Sequence, residues 1–387
     1  MTKKRILAFT SIRSDYDLLS PLYRKINAAP NLELKLLVSG AHLSKTYGYS
    51  VSQIKNDGLT ILCSIESLID SDSKKARIKT AANLLQSCID VIDGYKPDVI
   101  LFSGDREDAI IAALVGIYLS IPTIHFYGGD HASDGNVDNA IRHACSKLAS
   151  LHFVSHESHK QRLIKLGESP ERIFLIGSIA IDKLAGFKPQ STERIRRHFG
   201  IHKGFRKFCL LVFHPVIQET EVAHLYLRHI MEVLDAEKIS TFVGFPNTDA
   251  GNKPIIEVIE SYRNNENFFI YTNLDRKWFL SLFARASFMI GNSSAGIMEA
   301  ASIPIPAINV GTRQVGRFAD KNVVFCGNSK QSVAKAITLV ESKPFRRALK
   351  NLRNSYGDGR SSSHAMKLIE NLDLRSYLNK REDPLHV

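Results

Sequence analysis

Short apolar runs alternate with helical stretches from one end of this chain to the other, and most of the runs close on a polar turn. In the first half the runs are "RILAFT" (5–10), "LELKLLVSG" (32–40), "DVILFSGD" (98–105), "IPTIHFYGGD" (121–130), "LHFVS" (151–155) and "RIFLIGSIAID" (172–182). Nearly continuous apolar strands separated by amphipathic helices predict a parallel sheet covered on both faces. The second half repeats the pattern with "FCLLVFHPV", "ISTFVGFPNTD", "NFFIYT", "SFMIGNSSAGIMEAAS", "IPAINVG" and "KNVVFC". At 387 residues the chain is too long for one compact core. The expected fold class is therefore α/β, with two doubly wound Rossmann-like domains facing one another across a cleft. The expected boundaries are 1–184 for the first domain, 185–206 for a polar, basic linker and 207–360 for the second. A helix and tail at 361–387 is expected to pack back on the first domain.

In open parallel sheets ligands bind beyond the carboxyl ends of the strands. The turns after the strands are thus the residues to question. In "FMIGNSSAGIMEAA" (288–301) a strand ends in Gly-Asn-Ser-Ser-Ala-Gly and a helix opens. Ser293, Ser294 and Gly296 suit the approach of a phosphate, with small side chains and helix amides that donate hydrogen bonds. A plain N-capping loop would use the same serines. Glu299, expected on the first turns of that helix, could accept two ribose hydroxyls or merely pair with the helix dipole. His214 in "FHPV" and Asn247 in "FPNTDAGN" stand after two further strands.

The first half carries acids at the matching places. Asp105 follows a strand in "SGDRED"; Asp130, Asp134 and Asp138 follow another; Arg13 and Asp15 follow the first. Carboxylates converging on one cleft raise one another's pKa, which suits proton transfer. Asp134 reads as part of an Asp-Gly turn, while Asp105, Asp130 and Asp138 are the chemical candidates.

Composition narrows the classes. No G-x-G-x-x-G follows the first strand and no P-loop occurs, so a redox dinucleotide or a P-loop triphosphatase is not supported. Five scattered cysteines without a C-x-x-C pair read as reduced thiols. No metal site is expected, since His152 and His156 have ligand spacing but no third ligand, and no cofactor is expected. The net charge of +12 is spread along the chain, which favours small phosphorylated ligands over nucleic acid. The apolar runs are too short for a membrane span or a signal peptide, so a cytoplasmic protein is expected.

The run "GGDHASDGNVDNAIRHACSKLASLHFVS" resembles the signature of hydrolysing UDP-N-acetylglucosamine 2-epimerases. "GD-R" at 104–106, "FHPV" at 213–216, "PNTDAGN" at 246–252 and "GNSSAGIMEA" at 291–300 occur in that family's order. The resemblance covers nearly the whole chain. It implies a glycosyltransferase-B-type fold and a nucleotide-sugar substrate, UDP-N-acetylglucosamine or a GDP-linked or 2,4-diacetamido variant, in sialic- or legionaminic-acid-type pathways. It implies two stages. A carboxylate removes the C2 proton as the diphosphate leaves C1, and water then adds to the glycal with C2 inverted. By position, Asp105, Asp130 and Asp138 match the proton-transfer acids, with His143 polarising a neighbouring acid. Arg13, His214, Ser293, Ser294 and Arg317 would hold the diphosphate, and Glu299 the ribose. The family tends to form homodimers.

The chain departs from the pattern in two ways: Asp130 stands where glutamate is usual, and the loop after it is one residue longer. A non-hydrolysing 2-epimerase is the nearest alternative, although that branch usually shows "EAG-x-R" here. A glycosyltransferase of the same fold would need only one base and an acceptor site. A basic nucleotide- or nucleic-acid-binding protein is suggested by charge alone.

Overall fold

The computed structural model describes residues 3–71, 73–133, 137–201, 207–246, 251–272 and 274–386. The chain divides into two units. One comprises Met1–His131, Val137–Lys183 and Tyr356–Val387, the other Ala132–Asn136 and Leu184–Ser355.

The first unit holds strands β1 (Lys4–Thr10), β2 (Leu32–Ser39), β3 (Ile61–Ile65), β4 (Val99–Ser103), β5 (Thr123–Phe126), β6 (Leu151–Val154) and β7 (Ile173–Leu175). They form one sheet in the order β3-β2-β1-β4-β5-β6-β7, and every pairing is parallel. Alternate residues of each strand enter different cores. Ile6, Ala8, Val99 and Leu101 join one apolar cluster, and Leu7, Phe9, Ile100 and Phe102 join the other. Both faces are thus buried, which is why these strands read as unbroken apolar runs.

The second unit repeats the design with β8 (Cys209–Val212), β9 (Thr241–Gly244), β10 (Phe268–Tyr271), β11 (Met289–Gly291), β12 (Ala307–Val310) and β13 (Val323–Cys326). Their order is β10-β9-β8-β11-β12-β13, again parallel. Gly291 ends β11 at φ +130°, where a Cβ would collide with the Val212 carbonyl of β8, so only glycine lets the two strands close up.

The strand order reverses direction between β1 and β4 in one sheet and between β8 and β11 in the other. Those are the places where loops splay apart and leave room for a ligand.

Two features of the chain's organisation differ from expectation. The stretch expected as a linker carries the helix Thr192–His198, whose Ile195 is fully buried in a core of the second unit. The chain returns to the first unit at Tyr356, five residues before the helix Ser361–Asn371 begins. That helix is anchored at its start by Asp182, whose carboxylate accepts from the amides of Ser361 (3.0 Å) and Ser362 (2.6 Å). Its Ala365 and Ile369 pack with Leu19, Leu22 and Ile26 in the core. Among the described residues no helix is long and apolar enough to cross a membrane.

Candidate active site

In the first unit the carboxyl ends of β4 and β5 carry the acidic turns, and one arginine joins them. Arg142, on the helix Val137–Leu148, is only 5% exposed. Its Nη2 donates to the carboxylate of Asp105, and its Nη1 donates to the backbone carbonyl of Asp130 (3.1 Å) and to Asn139 Oδ1 (3.1 Å). A planar guanidinium with donors in a fixed fork can hold two loops in register in a way that a lysine cannot. Asp130 is 6% exposed and accepts from the amide of His131 through Oδ1 (2.8 Å).

Beneath this turn lies His125 on β5, fully buried and stacked on Phe102 (centroids 4.9 Å). Its Nε2 meets the Gly104 carbonyl at 2.9 Å and its Nδ1 meets Ser146 Oγ at 3.1 Å. A carbonyl only accepts, so Nε2 carries the proton. Burial pushes the ring's pKa down to about 3, so the imidazole is neutral, and its Nδ1 rests against the Ser146 hydroxyl, which donates to the Arg142 carbonyl (3.0 Å). The residue before Asp105 is thereby tied to the helix that carries Arg142.

Asp138 lies one turn before Arg142 on that helix; it is more exposed, and Arg77 Nη2 is 4.0 Å from it. Among the described residues His143 meets no carboxylate. Its ring stacks on His131 (centroids 5.7 Å, 9° between planes), and burial, Arg142 and His131 lower its pKa. The histidine beside Asp130 is His159, with Nε2 3.3 Å from Oδ1. Arg13 starts the helix after β1 and lies 3.8 Å from Asp17. Asp15 on the same helix is pushed up to about 7 by burial and by the charge of Asp108; burial pushes Asp108 up to about 6.

In the second unit Asn292 is the hub. Its Oδ1 accepts from the amide of His214 (2.7 Å) and its Nδ2 donates to the His214 carbonyl (2.8 Å), joining the loops after β8 and β11. Its own carbonyl accepts from Arg313 Nη1 (3.0 Å) and Gln314 Nε2 (2.9 Å). Gln314 in turn accepts from Arg317 Nη1 (2.9 Å). One buried amide therefore gathers His214, Ser293 and Arg317 on neighbouring segments. Ser293 caps the short helix Ser294–Met298. Within that helix a Cβ on Gly296 would sit 3.4 Å from the Ala307 methyl, so the helix lies close against β12. Glu299 is 7% exposed and terminates this helix, so it cannot serve as the dipole-pairing acid of a first turn. Asn247 and Asp134 lie outside the described residues.

The histidines with metal-like spacing are structural. His152 Nε2 lies 2.9 Å from Glu168, and His156 caps a helix by accepting from the Ser158 amide. Among the described residues no group of three or more potential ligands is present.

His125, Asn292, Gln314 and His159 escape a reading of the sequence, in which Arg142 figures only as opening the helix that anchors the acidic loop. Arg142 carried one signal, its i, i+4 spacing from Asp138 on a predicted helix. Asn292 and His125 have no periodic signature, because their function is to meet residues distant in the chain.

The family description that matches this chain is UDP-N-acetylglucosamine 2-epimerase, over residues 24–370. A UDP-N,N'-diacetylbacillosamine 2-epimerase (hydrolyzing) from Legionella pneumophila is 32% identical over 378 residues, covering 97% of this chain and 98% of the relative. A GDP/UDP-N,N'-diacetylbacillosamine 2-epimerase (hydrolyzing) from Campylobacter jejuni is 30% identical, covering 89% and 90%. Among solved structures, UDP-GlcNAc 2-epimerase from Neisseria meningitidis bound to UDP-GlcNAc superposes with a TM-score of 0.81 at 19% identity. It covers 95% of this chain and 100% of that one, which establishes the shared fold.

Proposed function

This chain belongs to the UDP-N-acetylglucosamine 2-epimerase family, and from that premise we propose that it is a hydrolysing 2-epimerase acting on a nucleotide-linked 2,4-diacetamido sugar of the N,N'-diacetylbacillosamine type. The products are the nucleoside diphosphate and the free sugar inverted at C2. The names of the Legionella and Campylobacter relatives support this choice of reaction and sugar. The observation that carries the reading is the linkage of the Asp105 and Asp130 turns through the single buried guanidinium of Arg142.

C2 of such a sugar has no adjacent carbonyl in the ring and is a poor acid. Its proton becomes removable as the C1–O bond to the diphosphate stretches and positive charge grows at C1. One carboxylate takes the C2 proton, the electron pair forms the C1–C2 double bond, and the diphosphate departs with the C1 oxygen. A second acid then delivers a proton to the opposite face of C2 while the oxygen of water bonds to C1, its proton passing to a carboxylate. Asp105, Asp130 and Asp138 are assigned to these transfers. Donors around the departing diphosphate lower the barrier where charge accumulates; Arg13, His214, Ser293, Ser294 and Arg317 are assigned to it, and Glu299 to the ribose. On the same reading the enzyme works in the cytosol as a homodimer, which sedimentation at micromolar concentration tests.

The deciding experiment is proton NMR in deuterated water with UDP- and GDP-linked 2,4-diacetamido sugars and UDP-N-acetylglucosamine in parallel. Free sugar carrying deuterium at C2 from one of the diacetamido substrates is the expected result. Turnover confined to UDP-N-acetylglucosamine overturns the sugar assignment, and nucleotide sugar returned intact with C2 exchange overturns hydrolysis.

A further inference from the structure

The turn Gly128–Asp130 rests on the helix Glu157–Lys165, and the fit between them is close. Gly129 has φ +75°, and a Cβ there would run into the His159 carbonyl and the Leu163 side chain. Arg162, one turn further along the helix, donates to the Gly129 carbonyl. His159 is 1% exposed and brings Nε2 to 3.3 Å from Asp130 Oδ1, the oxygen that accepts from the His131 amide. The rings of His156 and Tyr356 flank His159, each with its centroid 6.0 Å away.

The proton inventory of His159 fixes its role. Nδ1 is buried with no hydrogen-bond partner among the described residues. A neutral imidazole carries one N–H. Placing it on Nε2 directs the donor at the carboxylate and leaves Nδ1 as a bare acceptor. Placing it on Nδ1 would bury an unmatched donor, the costlier defect. Nε2, 3.3 Å from Asp130 Oδ1, is therefore the nitrogen left to donate toward that carboxylate.

We propose that His159 is a positioning residue: from the helix behind the turn, its Nε2–H fixes the rotation of the Asp130 carboxylate and so aims this acid at the sugar. The inference rests on the reading of Asp130 as a proton-transfer group. The His131 amide donates to Oδ1, and a ring N–H held beside the same oxygen narrows the rotation of the carboxylate; a fixed acid transfers a proton faster than one that must first be oriented.

Steady-state kinetics of His159→Gln and His159→Asn in the full-length enzyme test it, since Gln places its amide nitrogen near the Nε2 position and Asn near Nδ1. His159→Gln should retain kcat within about threefold of wild type, whereas His159→Asn should lower kcat by about tenfold, the effect of one hydrogen bond of about 1.4 kcal/mol. KM and the thermal midpoint should agree between the two variants. Equal kcat values for Gln and Asn, or an effect confined to KM, overturn the proposal. Asp130→Asn is measured alongside: if it turns over normally, the role of Asp130 itself fails, whereas an inactive Asp130→Asn with indistinguishable Gln and Asn variants sinks only the role of His159.

Discussion

Arg142 clasps the carboxylate of Asp105 from a helix 37 residues further along the chain, and both partners are largely buried, at 6% and 17% side-chain exposure. The same guanidinium holds the Asp130 carbonyl, so the two acidic turns cannot move independently while it is in place. Arg142→Lys preserves the charge and loses the fork. It should lower kcat by about a hundredfold, because a small misplacement of catalytic groups is enough for that. UDP affinity, measured by calorimetry, should stay within about threefold, since one point of charge is kept. Wild-type kcat would remove Arg142 from the catalytic geometry.

Asp105→Asn, Asp130→Asn and Asp138→Asn should each depress turnover by at least about a hundredfold with nucleotide affinity nearly unchanged. Glu299→Ala should do the reverse, weakening UDP binding about tenfold, as loss of one or two hydrogen bonds to a ribose would. Calorimetry with UDP beside steady-state rates separates the two classes, and an exchange of phenotypes would reverse the assignments.

Asn292→Ala should destabilise the second sheet's loops by about 2 kcal/mol, because the His214 amide and carbonyl each lose a partner. Urea unfolding gives the stability, and UDP affinity should fall in parallel because the His214 loop is no longer anchored. Unchanged affinity would show that this loop does not hold the diphosphate.

Asp15 and Asp108 make stability depend on pH near neutrality. Burial and their mutual charge raise Asp15 to about 7, and burial raises Asp108 to about 6, against about 3.9 in the unfolded chain. The folded state thus binds more protons. Its stability from this pair is complete below about pH 4 and declines as pH rises through 6 to 7. Asp108→Asn removes one of the two charges, so its thermal midpoint relative to wild type should rise between pH 5 and pH 8. A constant difference across that range would mean the two carboxyls do not titrate there.

Arg172 fastens the C-terminal tail. It is 4% exposed and donates to both carboxylate oxygens of Glu382 (2.8 and 3.1 Å) and to the carbonyls of Tyr377 (2.6 Å), Asn379 (2.8 Å) and Ser150 (3.1 Å). Arg172→Ala should cost about 2 kcal/mol, since the buried Ser150 carbonyl loses its donor and the more exposed acceptors of the tail lose theirs with it. Protease should then cleave within 373–386, and resistance equal to wild type would show that other contacts hold the tail.

The sequence by itself determined the two parallel sheets and the turns that carry polar residues. Strands such as 99–103 and 209–212 are apolar on both faces, and only a sheet covered on both sides buries them so. Motif order was enough to identify the family, because Asp105, Asp130, His214 and Ser293 stand at fixed places after particular strands. The helix 192–198 did not register as core-facing because Ile195 is its one apolar residue among basic neighbours. What the tertiary structure alone decided is which side chains meet. His143, adjacent to the acids in sequence, stacks on His131, while His159 reaches Asp130 from another helix. Local composition decides whether a segment is buried, but side-chain pairing across loops depends on sheet order and helix placement, which set distances that no spacing along the chain records.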